Sequence, residues 1–267
     1  MIRSRLTIVL VTAALVFPSI VASAQDEGPT PLTWVGSIKL QPGAGPQFEK
    51  VFETYDQPLF DRLVAEGEGV SWGLGYELAG PGGFDYVIWI SAPGWAGIGT
   101  IEAMFDARYE GMSEDDLAEM IAAWTAVIAP EEDQVQLLRH VVVNTNPEAD
   151  SKYLRLSYYK VKPGRSGELV KMYKSYWVPL NEQLLESGVI SAYGLIEQAI
   201  HTDSSFTHQA WIEFNSLADL DRIDKAIEEA DAEVSEGDRM ARELAFMKTV
   251  ETGAHFDRLI RKLKQGG

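Results

Sequence analysis

The run His208-Gln209-Ala210-Trp211-Ile212-Glu213 gathers the residue types best suited to chemistry in this chain. A carboxylate held beside an indole and away from water has the surroundings a general acid or base needs, and an imidazole exchanges protons near neutrality. Read as a strand with period two, Gln209, Trp211 and Glu213 share one face, and Ala210, Ile212 and Phe214 share the other. Upstream, Val87, Trp89 and Ser91 repeat the pattern without an acid–base group, opposite an apolar face of Ile88 and Ile90. Glu213 and His208 are therefore the candidate catalytic residues. Trp211, Tyr193, Tyr176, Tyr158, Trp89, Trp72 and Tyr55 are the candidate ligand-binding set, several aromatics with few polar groups being the usual lining of a small-molecule pocket. Plain packing is the competing reading for the tryptophans and tyrosines, with each indole N–H satisfied in a core.

Other chemistries find no support. The four histidines, His140, His201, His208 and His255, show none of the paired spacings of zinc or di-iron ligands. Cysteine is absent and there is no Gly-x-Ser-x-Gly elbow. The glycines between Gly94 and Gly99 are not spaced as a dinucleotide loop, and no phosphate-binding Gly-Lys-Ser occurs. Acid clusters at Glu114–Asp116, Glu131–Asp133 and Glu228–Asp238 lack the alternating ligands of a calcium loop. No metal is expected.

The elements that position these residues come from an internal repeat. Pro42-Gly43 answers Pro163-Gly164, Tyr55 answers Tyr176, Pro58-Leu59 answers Pro179-Leu180, and Gly73-Leu74 answers Gly194-Leu195. After a one-residue slip, Trp89-Ile90 answers Trp211-Ile212. One fold unit is thus written twice. Trp34–Leu40 and Tyr153–Val161 read as strands ending in Pro-Gly turns. Each is followed by an amphipathic helix closed by a glycine, Gly67 or Gly188, with Pro58 or Pro179 predicting a kink midway. Strand pairs follow at Val70–Leu78 and Tyr86–Ser91, then at Ile190–Ala199 and His208–Phe214, the latter pair flanking a Thr202–Ser205 turn. Helices are expected over Ile98–Tyr109, Glu114–Ile128, Leu217–Ala230 and Gly237–Val250, with Ser113 an N-cap. Val135–Val143 closes the first copy as a strand. Its counterpart His255–Leu263 has helical spacing at Phe256, Leu259, Ile260 and Leu263, but the repeat argues for a strand.

Arg3 and Arg5, an apolar run from Leu6 to Val21 and the small residues Ala22-Ser23-Ala24 compose a secretory signal. The expected organisation is a signal peptide over 1–24, a disordered mature N-terminus over 25–31, modules over 32–144 and 151–264, and a linker over 145–150. The place implied is periplasmic or secreted. Removing 1–24 takes two arginines and no acids, so the net charge of −17 becomes −19. Such a surface repels phosphate backbones and anionic lipid, so neither nucleic acid nor, after signal cleavage, membrane is an expected partner.

The βαββαβ order, a fold class of α+β, together with the Tyr-x-x-Pro helix within Val161–Gly188 (VKPGRSGELVKMYKSYWVPLNEQLLESG), resembles the dimeric α+β barrel superfamily. Its members include antibiotic-biosynthesis monooxygenase-like, NIPSNAP-like and EthD-like domains. The resemblance implies two ferredoxin-like modules whose antiparallel sheets close one intramolecular, pseudo-dimeric barrel. It also implies a monomer, or a weak homodimer. The leading functional expectation is binding of a small apolar or aromatic molecule. The rivals are an oxygenase, cofactor-free or haem-dependent, and an interaction module without ligand. No cofactor is expected on the residues alone; the resemblance admits haem.

Overall fold

The computed structural model describes residues 29–129, 134–146, 149, 151–200 and 205–267. The expected signal segment, the Glu131–Asp133 acids, His201 and most of the expected Thr202–Ser205 turn lie outside the described residues.

The first half runs β1 (Leu32–Ile38), α1 (Gly45–Tyr55), α2 (Gln57–Ala65), β2 (Ser71–Ala79), β3 (Tyr86–Ala92), α3 (Gly94–Gly111), α4 (Glu114–Val127) and β4 (Gln134–Thr145). The second repeats it as β5 (Tyr153–Tyr159), α5 (Ser166–Met172), a π-helical turn (Tyr173–Trp177), α6 (Val178–Glu186), β6 (Ala192–Gln198), β7 (His208–Phe214), α7 (Ala218–Glu233), α8 (Glu236–Thr249) and β8 (Phe256–Gly266). All pairings are antiparallel, and the strands close one barrel in the order β1-β3-β2-β8-β5-β7-β6-β4. Each half thus supplies four adjacent strands, and β2–β8 and β4–β6 are the seams. Strands four places apart in such a ring run the same way, so the pseudo-two-fold lies along the barrel axis.

Local chemistry sets the helix ends. Ser113 and Ser235 cap α4 and α8 by accepting from the Asp116 and Asp238 amides at 3.1 Å. Gly67 and Gly188 follow their helices at φ of 78° and 68°, a conformation costly for residues with a Cβ. The expected proline kink is resolved in two ways. In the first half the rod breaks at Asp56 and Pro58 opens α2; in the second it stays continuous through the π-turn, with Pro179 at the start of α6.

The strand over the C-terminal segment is present, and its misleading spacing has a physical reason. Phe256, Arg258, Ile260 and Lys262 alternate into the barrel, while Leu259 and Leu263 pack outward against helices. Two cations on an inward face hide the period-two signal. Each is neutralised inside: Arg258 by Glu77 at 2.7 Å and Lys262 by Glu213 at 2.7 Å.

Two kinds of core result. The lumen holds Val87, Leu138, Leu154, Leu156, Ile196 and Ile260 with both strand-three tryptophans. Outside the sheet, helices cover the opposite strand faces, with Ile88, Ile90, Trp72 and Phe52 in the first half and Tyr193, Phe214 and Leu184 in the second.

Candidate functional site

The sheet divides the residues that the sequence grouped together. Trp211, Tyr158, Glu213 and Trp89 point into the lumen; Tyr193, Tyr176, Trp72, Tyr55 and His208 lie on the helical side. One pocket walled by both sets is not what the geometry assembles.

In the lumen, Trp89 and Trp211 each lie against the glycine directly opposite on the neighbouring strand. A Cβ on Gly73 would come 2.0 Å from the Trp89 ring, and one on Gly194 would come 2.6 Å from that of Trp211. Both indoles therefore fill space that glycine leaves. Tyr158 stacks on Phe256 at 4.5 Å between centroids and meets the edge of Phe206 at 4.9 Å. Glu213 does not stand alone beside its indole, since it accepts from Lys262 Nζ at 2.7 Å and Ser151 Oγ at 2.6 Å. At the pseudo-two-fold mates of Glu213 and Lys262 stand Ser91 and His140. Thr33 Oγ1 bridges them, 2.8 Å from Ser91 Oγ and 2.7 Å from His140 Nε2. Burial holds His140 down at about 4, so its ring is neutral across the physiological range.

On the helical side the halves differ. Phe52, Phe60 and Trp72 form an aromatic cluster with centroids 5.8–5.9 Å apart, and the Trp72 indole N–H donates to Asp61 at 3.0 Å. The matched positions of the second half are Tyr173, Asn181, Tyr193 and, for Asp61, Glu182. Tyr173 Oη donates to the Gly194 carbonyl at 3.0 Å and accepts from Asn181 Nδ2 at 3.4 Å. Tyr193 Oη donates to Glu182, which also accepts from Asn144 Nδ2 at 3.0 Å. Burial raises both phenols, and the Glu182 carboxylate raises Tyr193 further. Both phenols therefore keep their protons at neutral pH and serve as hydrogen-bond donors. Tyr176 donates to Asp231 at 2.6 Å under the Arg242 guanidinium, 3.7 Å above its ring. His208 replaces Tyr86 of the first half. It is 2% exposed, bonded through Nδ1 to Thr207 Oγ1 at 2.9 Å, with Nε2 3.6 Å from Glu197.

Two depressions open on the helical surface. One, of about 290 Å³, lies between α2 and α3 and is lined by Tyr55, Pro58, Arg62 and Arg108. Arg108 is already committed there, donating to Asp56 and to the Tyr55 carbonyl at 2.8 Å. The other, of about 450 Å³, lies between α5 and α8, over Met172, Ala241, Leu244 and Ala245 with Lys171 and Lys248 at its edge. In the first half Trp124 of α4 meets Phe48 of α1 edge-on at 5.7 Å. The matched pair in the second half is Phe246 and Leu169; Phe246 instead sits edge-on to Tyr159 at 5.9 Å. Helix α4 buries Met120 and Val127; at the same turns α8 buries Thr249 but carries the partly exposed Arg242 in place of the methionine. The groove is the consequence of this looser seating. It went unseen in the sequence because its signal was a difference between the halves rather than their likeness.

Of the described histidines, His140 bonds Thr33 through Nε2, His208 bonds Thr207 through Nδ1 and His255 stacks on Tyr159, and none of them lines either depression. No cluster of three metal-ligating side chains occurs among the described residues, and no helix of theirs is long and apolar enough to cross a membrane.

No protein-family model matches the chain, and no curated protein is significantly similar to it. Solved structures are similar in fold. A monooxygenase candidate from Lactobacillus acidophilus NCFM superposes with a TM-score of 0.56 at 13% identity, covering 89% of this chain and 96% of that one. One from Fusobacterium nucleatum gives 0.56 at 8% identity, covering 90% and 95%. A heme-binding protein from Thermus thermophilus is more distant, at 0.47 and 12% identity, covering 88% and 92%. A closed eight-stranded antiparallel barrel flanked by helices, completed within a single polypeptide, is the α+β fold that this chain shares with the two structures at a TM-score of 0.56.

Proposed function

We propose that the protein binds a small, largely apolar molecule in its second half, in the groove between α5 and α8. One observation carries this reading: a space closed by the Phe48–Trp124 contact in the first half is open to about 450 Å³ in the second. That volume lies within the range of ligand pockets, and an apolar floor with a few polar groups at the edge is their usual make-up. The π-turn begins at Tyr173, directly after Met172 of the groove floor, and such turns recur at functional positions because they relax the helix ladder locally. Binding is favoured over turnover because the described lining contains no histidine, no close carboxylate pair and no activated nucleophile.

Titration with the neutral fluorophore N-phenyl-1-naphthylamine tests the reading. The native chain should bind it, and Ala245→Trp, which refills the groove, should weaken binding at least about tenfold, the equivalent of ~1.4 kcal/mol. Circular dichroism of the variant should match the native spectrum. Absence of binding, or equal binding by a folded Ala245→Trp protein, would place any ligand elsewhere.

A further inference from the structure

We infer that the ligand of the α5–α8 groove is an anionic amphiphile, a single carboxylate carrying an apolar body. The inference rests on the proposed groove and adds the chemical class of its occupant. The chain is strongly acidic, with 40 acids against 23 bases, yet the groove is rimmed by Arg165, Lys171 and Lys248 with Glu168 as its one acid. Glu168 is taken up by Arg165, which donates to both carboxylate oxygens at 2.8 and 2.6 Å. Lys171 and Lys248 have no ion-pair partner among the described residues. Two uncommitted cations thus face each other across an apolar trough.

The first half serves as an internal control. The positions matching Arg165, Lys171 and Lys248 are Ala44, Lys50 and Ala126, and Ala241 is matched by Glu119. A rim that carries a net positive charge in one half is neutral in the other, so the feature belongs to the groove and not to the fold. Between the lysines the floor is Met172, Leu244 and Ala245, and the buried hydroxyl of the lining, Thr249 Oγ1, is already taken up by the Ala245 carbonyl at 2.8 Å and by Glu168 at 3.4 Å. The groove's volume equals that of roughly fifteen waters, enough for a short acyl chain or one or two rings. Carboxylate at the rim and hydrocarbon on the floor is the arrangement that satisfies both. The charge of the remaining surface repels anions from other sites, which focuses such a ligand here.

Dodecanoate, dodecanol and dodecyltrimethylammonium, each below its micellar concentration, are the probes for calorimetric titration of the full chain. Dodecanoate should bind best, and its affinity should fall as salt is raised. Lys171→Ala with Lys248→Ala should bring it down about tenfold, toward the value for the alcohol. Both positions are exposed and the second restores the first half's residue, so folding is preserved. Equal binding of acid and alcohol, unaffected by the lysine changes but lost in Ala245→Trp, would overturn the anionic class while leaving the groove in place. Binding of none of the three would remove the groove reading and this inference with it.

Discussion

His140 has Nε2 on Thr33 and its Nδ1 buried without a hydrogen-bond partner, so its proton is disfavoured in the folded chain. Burial lowers it to about 4 from an ordinary 6.5. A folded-state value below the unfolded one means that the unfolded chain binds the extra proton first. Stability is then complete above about pH 6.5 and declines as pH falls toward 4. Asp257 takes over below. Burial alone would raise it, but hydrogen bonds from His255 and Ser157 and the charge of Arg155 outweigh that and hold it at about 2. Its contribution is present above about pH 4 and lost as pH falls through 2. Urea unfolding between pH 7 and 4 should therefore show a loss of up to about 3 kcal/mol that His140→Gln abolishes. An unchanged slope in that variant would mean the ring is solvated. Neither His140 nor its partners stood out in the sequence, because Thr33 and Ser91 reach it from remote strands and no local spacing records that. Glu213 did stand out, for its indole neighbour. Its actual partner, Lys262, came from a segment whose spacing looked helical.

Strand parity was the most legible part of the elements. The repeat of Trp89 by Trp211 and the alternation around them correctly separated a Trp-bearing face from an apolar one. What alternation could not say was which face met the helices and which met the other half, so residues from both sides were joined in one candidate site. The glycines held the missing information. Gly73 and Gly194 are the cross-strand partners of the two tryptophans, and their lack of a Cβ is what lets the indoles lie flat inside the barrel. Gly73→Ala and Gly194→Ala should each cost about 1–3 kcal/mol through overpacking. Gly99→Ala, on helix α3 with nothing within 4 Å of the new methyl, should add up to about 1 kcal/mol of stability. Thermal unfolding of the three variants reads this directly. Tolerance at Gly73 would show that Trp89 has room to move and is not a fixed plug. The prolines marked where each helix departs from α geometry, but not how: the first half breaks at Asp56 and the second runs through a π-turn.

At the scale of the molecule, the halves must recognise each other and not themselves, since each presents a sheet with two open edges and an apolar lumen face. The β2–β8 seam supplies that preference. Glu77 of the first half pairs with Arg258 of the second, with side chains 7% and 12% exposed, and the Arg258 guanidinium lies 4.3 Å from the Phe84 ring. By the repeat, the mate of Glu77 is Gln198 and the mate of Arg258 is Gln136. A barrel made of two first halves would set Glu77 against Gln136, and one made of two second halves would set Arg258 against Gln198. Either burial strands a charge, at a cost of about 3–5 kcal/mol for each unpaired partner. Residues 29–146 and 151–267, co-expressed with different tags, should therefore be recovered as a mixed pair, and either alone should aggregate through its open edges. Native mass spectrometry counts the species. Glu77→Gln should destabilise the intact chain by a similar ~3 kcal/mol, and among the fragments it should erode the bias toward the mixed pair. Homodimers as abundant as the mixed pair with Glu77 intact would show that the seam's shape, and not its buried charge, decides which halves meet.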